Sequence, residues 1–114
     1  MTRVLVLDEI TVKPGLAAEF RLAHRNRYLP GALGRGMKLE GAWQNPPERD
    51  LPELPTTLYY LWSLEDVDAW WRMRLSRTAD GGDERFVKHA FWQEADRLTM
   101  SRRRTVLSDQ PTED

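Results

Sequence analysis

The stretch Arg3-Val4-Leu5-Val6-Leu7-Asp8-Glu9-Ile10-Thr11-Val12, halted by Lys13-Pro14-Gly15, decides how the rest of the chain reads. Its β-branched and leucine residues mark a strand over 3–12. The first half is apolar at consecutive positions, so both faces of this strand are expected to be buried. Two carboxylates, Asp8 and Glu9, interrupt it. Alternation sends them to opposite faces, and a carboxylate buried in an apolar strand is costly unless paired. Each therefore reads in one of two ways: as half of a salt bridge to a helix or partner arginine, or as a cavity-facing base of raised pKa.

Past the Pro14 break, where proline suits a helix's first turn, a helix is predicted over 16–29. Leu16, Phe20, Ala23 and Tyr28 share one face, with His24 and Arg27 in the same stripe. Pro30-Gly31 is expected to end it, and 31–36 to be a glycine-rich loop without a phosphate-binding pattern. A second strand follows over 37–43, placing Met37, Leu39, Gly41 and Trp43 on one face. The four prolines of 44–56 mark a loop, long for a hairpin connection. Strand 57–63 sets Tyr59 and Leu61 opposite Leu58, Tyr60 and Trp62. Ser63-Leu64-Glu65-Asp66 opens a helix whose stripe is Val67, Trp70, Trp71, Arg74 and Leu75, fading at Ala79-Asp80-Gly81-Gly82. Another helix starts near Asp83, with Phe86, Val87, Ala90, Phe91, Ala95 and Leu98 as its apolar face. A strand over 101–107 closes the order, and 109–114 reads as a frayed polar tail.

The order β-α-β-β-α-α-β predicts an α+β fold of the ferredoxin-like, split βαβ kind: one antiparallel four-stranded sheet with its helices on one face. The domain spans 1–108. Helices on one side leave the other sheet face bare, and a second copy is the simplest cover, giving a homodimer with the form of a dimeric α/β barrel.

Composition narrows the function. With 114 residues there is room for one domain. A net charge of −1, with Arg102-Arg103-Arg104 as the one basic run, speaks against nucleic acid. No apolar stretch approaches the length of a membrane helix, and no signal peptide follows the first methionine, so the expected setting is the cytoplasm with no membrane partner. The chain has no cysteine and only two histidines, 65 positions apart, so neither disulfide, thiolate nor zinc chemistry is expected. Five tryptophans in so short a chain point to core and dimer packing or to a pocket wall.

Ile10-Thr11-Val12-Lys13-Pro14-Gly15, then Glu19-Phe20, then Tyr28-Leu29-Pro30, resemble the start of the NIPSNAP-like family. Lys38-Leu39-Glu40-Gly41-Ala42-Trp43 and Leu61-Trp62-Ser63-Leu64-Glu65-Asp66 are similar to its second and third strands. The resemblance covers roughly 3–107, and the stretches 46–55 and 78–83 are longer than the family pattern; they cover a pocket mouth or are plain surface insertions. The family falls in the dimeric α/β-barrel, antibiotic-biosynthesis-monooxygenase-like superfamily. That group includes cofactor-free monooxygenases, haem-degrading monooxygenases, muconolactone isomerases and small polyketide cyclases. The resemblance thus implies a cavity without implying one reaction. In its haem-degrading members a late-helix histidine ligates iron and an upstream tryptophan presses on the porphyrin, which His89 with Trp70 or Trp71 resembles. Those enzymes also use a first-strand asparagine, where this chain has Asp8 and Glu9.

The candidate catalytic residues are His24, Asp8, Glu9 and His89. Either histidine titrates where a general base is useful; His24 reads equally as a core-edge residue and His89 as a partly solvated one. The candidate substrate-binding residues are Tyr28, Trp43, Tyr59, Tyr60, Trp62, Trp70 and Trp71, an aromatic wall suited to a flat ligand or to sheet packing. The leading expectation is an enzyme with no cofactor, haem or metal. It would oxidise, cyclise or isomerise an aromatic or polyketide-like substrate in secondary metabolism or aromatic degradation. A ligand-binding or structural dimer without turnover is the first alternative, and a haem-binding monooxygenase-like protein the second.

Overall fold

A computed structural model describes residues 2–47, 51–75 and 84–110, with the backbone alone for 84–89. The strands are β1 (Val4–Val12), β2 (Lys38–Asn45), β3 (Thr56–Leu64) and β4 (Thr99–Ser108). They form one antiparallel sheet in the order β2-β3-β1-β4, the ferredoxin-like arrangement. The two consecutively apolar strands, β1 and β3, take the centre, as covering on both faces requires. Val4, Val6, Ile10 and Val12 of β1 and Leu58, Tyr60, Trp62 and Leu64 of β3 are buried on one face. All the helices described lie against that face.

The first helix departs from its expected end. It runs in three pieces: α1 (Ala17–Ala23), a wide turn His24–Tyr28 with π-type bonding, and α2 (Leu29–Gly34). Pro30 and Gly31 are therefore helical, not a stop followed by a loop. In the wide turn the Leu29 N–H reaches back to the carbonyl of His24, five residues away. That reset puts Pro30 in the first turn of α2, where its missing N–H has no bond to lose. Ala17, Phe20, His24, Tyr28 and Ala32 form its buried stripe, while Arg27 is exposed.

Three other expectations are corrected. Leu39 and Gly41 do not share a face, because the β2–β3 register slips between them. The bulge returns Gly41 and Trp43 to the open face, beside Leu61 and Tyr59, and leaves Leu39 with Ala42 and Gln44 on the helix side. In α3 (Val67–Arg74) the inward residues are Ala69 and Met73; Val67, Trp71 and Leu75 are exposed and Trp70 is half-buried. Asp66 caps this helix, its carboxylate accepting from the Ala69 N–H at 2.8 Å. In α4 (Glu84–Ala95) Phe91 and Ala95 are buried, as is Leu98 in the turn Asp96–Leu98 that follows. Ala90 is exposed and Trp92 is buried in its place. The insertion at 78–83, the side chains of Phe86, Val87 and His89, and the tail beyond 110 lie outside the described residues.

The opposite face of the sheet carries Leu5, Leu7, Glu9 and Thr11, all half-buried, beside Tyr59 and Leu61 of β3. Thr11 and Thr57 share a 3.0 Å hydrogen bond across it, and the Ser63 hydroxyl donates to Glu40 at 2.6 Å. No described helix covers this face.

Candidate functional site: a cleft beside a buried histidine

The wide turn in the first helix places His24 and Tyr28 on the same inward face as Phe20. His24 is 2% exposed. Its ring stacks on Tyr60 of β3 at 4.0 Å and 17°, with Tyr28 at 5.0 Å and Phe20 and Trp62 each at 5.9 Å. Its Nε2 has no hydrogen-bond partner among the described residues. Burial pushes the His24 pKa down to about 4; the nearby Asp8 carboxylate works against this and Arg104 reinforces it. The imidazole is therefore neutral at pH 7, with a buried ring nitrogen left unmatched. An orphan of this kind calls for an explanation in the molecule's function or folding.

Asp8 stands one shell further in. Arg104 of β4 lies directly opposite it in the register and grips it with two hydrogen bonds, Nε to Oδ1 at 2.7 Å and Nη2 to Oδ2 at 2.9 Å. Trp62 Nε1 also donates to Oδ2, at 3.0 Å, and Arg104 donates to the Tyr28 hydroxyl at 2.9 Å. Burial opposes the Arg104 charge, but the Asp8 hydrogen bond and the fields of Tyr28 and Asp8 outweigh it and raise its pKa. Of the two readings open for Asp8, the structure shows the ion pair, supplied by a neighbouring strand. Glu9 faces the open side of the sheet, between Tyr59 and Arg103.

A cleft of about 320 Å³ opens beside His24, between the first helix and strands β2 and β3. Leu29, Leu39, Leu58 and Tyr60 supply its apolar wall, and Ala42 and Trp43 its β2 edge. Arg21, Arg25 and Gln44 supply its polar groups, Arg21 Nη1 donating to Gln44 Oε1 at 3.2 Å. Burial pushes the Tyr60 hydroxyl up to about 12, with the Arg21 charge pulling down and Asp8 pushing up. Tyr60 thus stays protonated, and the positive charge of Arg21 is felt at the ring stacked on His24. A smaller hollow of about 160 Å³, lined by Asp8, Trp92 and Arg102 to Arg104, lies against β4. There Arg102 pairs with Asp96 at 2.9 Å and stacks on Trp92 at 4.5 Å, so its charge and that of Arg104 are already matched.

The proposed aromatic wall divides among three places. Tyr28, Tyr60 and Trp62 join His24 in one buried cluster with Phe91 and Trp92. Trp43 and Tyr59 point to the open face, where the Trp43 ring lies over Gly41 and is 56% exposed. Trp70 and Trp71 pair with each other at 4.7 Å, with Arg74 over Trp70, and do not line the cleft. Sequence reasoning passed over Arg21, Arg25, Gln44, Trp92 and Arg104. Two signals were present: the four-residue spacing of Arg21 and Arg25 on a helix, and the alternation that puts Arg102 and Arg104 on the same face of their strand as each other.

Among the described residues no cluster of histidine and carboxylate side chains is placed to hold a metal ion, and no helix is long and apolar enough to cross a membrane. No family model matches the sequence, and no curated protein matches it. Solved structures do share its shape. A NIPSNAP family protein from Agrobacterium tumefaciens superposes with a TM-score of 0.65 at 15% identity, covering 97% of this chain and 94% of that one. A NIPSNAP domain protein from Burkholderia xenovorans gives 0.63 at 15% identity over 96% and 94%. SnoaB, a cofactor-independent oxygenase from Streptomyces nogalater, gives 0.53 at 19% identity over 96% and 95%. At these identities the likeness is one of architecture: this chain has the ferredoxin-like α+β fold of NIPSNAP family proteins and of their monooxygenase-like relatives.

Proposed function

We propose that this protein is a cofactor-independent enzyme that works as a homodimer on a flat aromatic or polyketide-like substrate, and that His24 takes a proton from that substrate in the cleft. The observation that carries the proposal is the buried, neutral His24 bordering the cleft with its Nε2 unmatched. Oxidation, cyclisation and isomerisation of such substrates share one first step. An acidic C–H or O–H bond breaks, the proton moves to Nε2, and the electron pair stays on the substrate as an enolate or phenolate. The apolar wall suits a planar ring and excludes water. The fold shared with a cofactor-independent oxygenase supports the same reading by analogy. Deuterium exchange into the methylene of anthrone, followed by NMR in heavy water, reads the step directly. Exchange is expected to exceed the buffer rate and to fall by about 10²–10⁴ in His24→Gln, with circular dichroism showing the variant folded. Exchange no faster than in buffer overturns the reading.

The uncovered sheet face, which carries Leu5, Leu7, Leu61 and the exposed Trp43 and Leu107, supports the dimer reading. Light scattering is expected to give twice the chain mass. A ligand-binding dimer without turnover is the second reading, favoured by the stacking of the His24 ring within the aromatic cluster. For the haem alternative the described residues supply little. The His89 side chain lies outside them, and at the first-strand position Asp8 is held by Arg104 and Trp62.

A further inference from the structure

We infer that the bulge in β2 decides which substrates the cleft admits: by turning Ala42 toward the helices it leaves room for a second ring fused to the one that reacts, and Ala42 is the residue that sets this limit. The inference rests on the reading of the cleft as the substrate site.

The register shows how the room arises. Leu39 lies opposite Trp62, while Gly41, Ala42 and Gln44 lie opposite Leu61, Tyr60 and Leu58, so Glu40 is the added residue. Without it, alternation from Leu39 would set Gly41 beside Tyr60 and Trp43 beside Leu58, and an indole would stand on the helix side of β2. With it, Leu39, Ala42 and Gln44 take that side and line the cleft, and the Trp43 ring lies over Gly41 at the cleft's edge. Re-aiming a side chain is what a bulge beside a site does.

Size then singles out Ala42. Its side chain is the smallest among the described lining residues. Its neighbours on this face of β2, Leu39 and Gln44, are large, and Gln44 is held by Arg21 and by the Pro46 carbonyl at 3.3 Å. Across the strands the Ala42 Cβ stands about 5 Å from that of Tyr60, and Tyr60 is the ring stacked on His24 at 4.0 Å. The space over Ala42 and the space beside His24 therefore belong to one cleft. The cleft, at about 320 Å³, lies near the lower end of the roughly 300–1,000 Å³ typical of small-molecule sites, so a few added carbons decide what fits. Ala42 is exposed, and a larger side chain there is expected to leave the fold intact.

The test uses Ala42→Ile, a side chain suited to a strand and stiff about its first torsion, with two neutral probes, benzyl alcohol and 2-naphthalenemethanol. Binding is followed by NMR titration. The native protein is expected to bind the two-ring alcohol about tenfold more tightly, the gain from burying roughly two of its four extra carbons. In Ala42→Ile that ratio is expected to fall to about twofold or less, with the one-ring alcohol weakened less than threefold and circular dichroism native. Should this variant fail to fold, Ala42→Val takes its place, with a partial fall in the ratio expected. A folded variant that keeps the full ratio overturns the inference and leaves the cleft as the substrate site. Equal loss of both alcohols also overturns it, because Ala42 then guards entry rather than ring number. Failure of the native protein to bind either alcohol overturns this inference and the reading of the cleft together.

Discussion

Replacing His24 by phenylalanine makes a quantitative test of its burial. The native imidazole has its pKa pushed down to about 4, chiefly by burial, while in the unfolded chain it titrates near 6.5. Between those values the unfolded chain binds a proton that the native state refuses. Stability therefore falls as pH drops through 6.5, and the loss is complete below about 4; above 6.5 His24 has no effect on the slope. The span from 6.5 to about 4, at about 1.4 kcal/mol per pH unit, amounts to roughly 3 kcal/mol. That is a large part of the 5–15 kcal/mol typical of a domain. Phenylalanine keeps a flat ring against Tyr60 but cannot titrate. Urea unfolding of both proteins at one fixed concentration, from pH 7.5 to 4.5, isolates the term, because the carboxylates and His89 are common to both. The stability of the native protein relative to His24→Phe is expected to fall by about 2–3 kcal/mol across that range. A difference that stays constant within about 0.5 kcal/mol would refute the claim that the ring is held neutral. A difference that grows in favour of the native protein as pH falls would show the opposite, an imidazolium paired with Asp8.

Asp8→Asn removes the carboxylate that Arg104 grips and leaves a guanidinium largely enclosed without its counter-charge; a loss of about 3 kcal/mol in urea unfolding is expected. Asp66→Ala deletes the cap on α3 and should cost about 1 kcal/mol by the same measurement. Gly41→Val puts a branched side chain where the Trp43 ring lies; the ring must lift from the open face, and light scattering is expected to show a weakened dimer while circular dichroism stays native.

The strands were legible because their signal is local. The consecutive apolar runs of β1 and β3 each follow from a central place on a pleated surface, and the observed bounds differ from the expected ones by a residue or so at most ends. What was not legible depends on a single inserted residue. The bulge between Leu39 and Gly41 reverses the parity of β2, and the wide turn His24–Tyr28 lets the first helix pass through Pro30-Gly31. Both devices add a residue to a regular repeat, and nothing in hydrophobic spacing announces where such a residue goes. The stripe of α3 failed for a related reason. Its inward residues are Ala69 and Met73, and large aromatics on a short helix attract more weight in a pattern than their burial warrants.

The site shows the same division between what spacing reveals and what register decides. His24 stood out as a histidine within an apolar stripe, and the structure buries it as that pattern requires. Asp8 stood out as a carboxylate within a strand, but its partner lies 96 positions away in the chain. Only the pairing of β1 with β4 brings Asp8 and Arg104 to adjacent positions on one face. Once that pairing is made, the chemistry left to each group follows. Both carboxylate oxygens of Asp8 accept hydrogen bonds from Arg104 and Trp62, so Asp8 orders the core and sets the field around His24. Of the candidate bases whose side chains the structure describes, His24 alone combines burial, an unmatched ring nitrogen and a border on the cleft. Glu9, on the far face beside Tyr59 and Arg103, belongs to the surface that a second copy would cover. The two neighbouring carboxylates of β1 thus serve different surfaces, one anchoring the aromatic cluster behind the cleft and the other standing at the proposed dimer face, a split imposed by the alternation of a single strand.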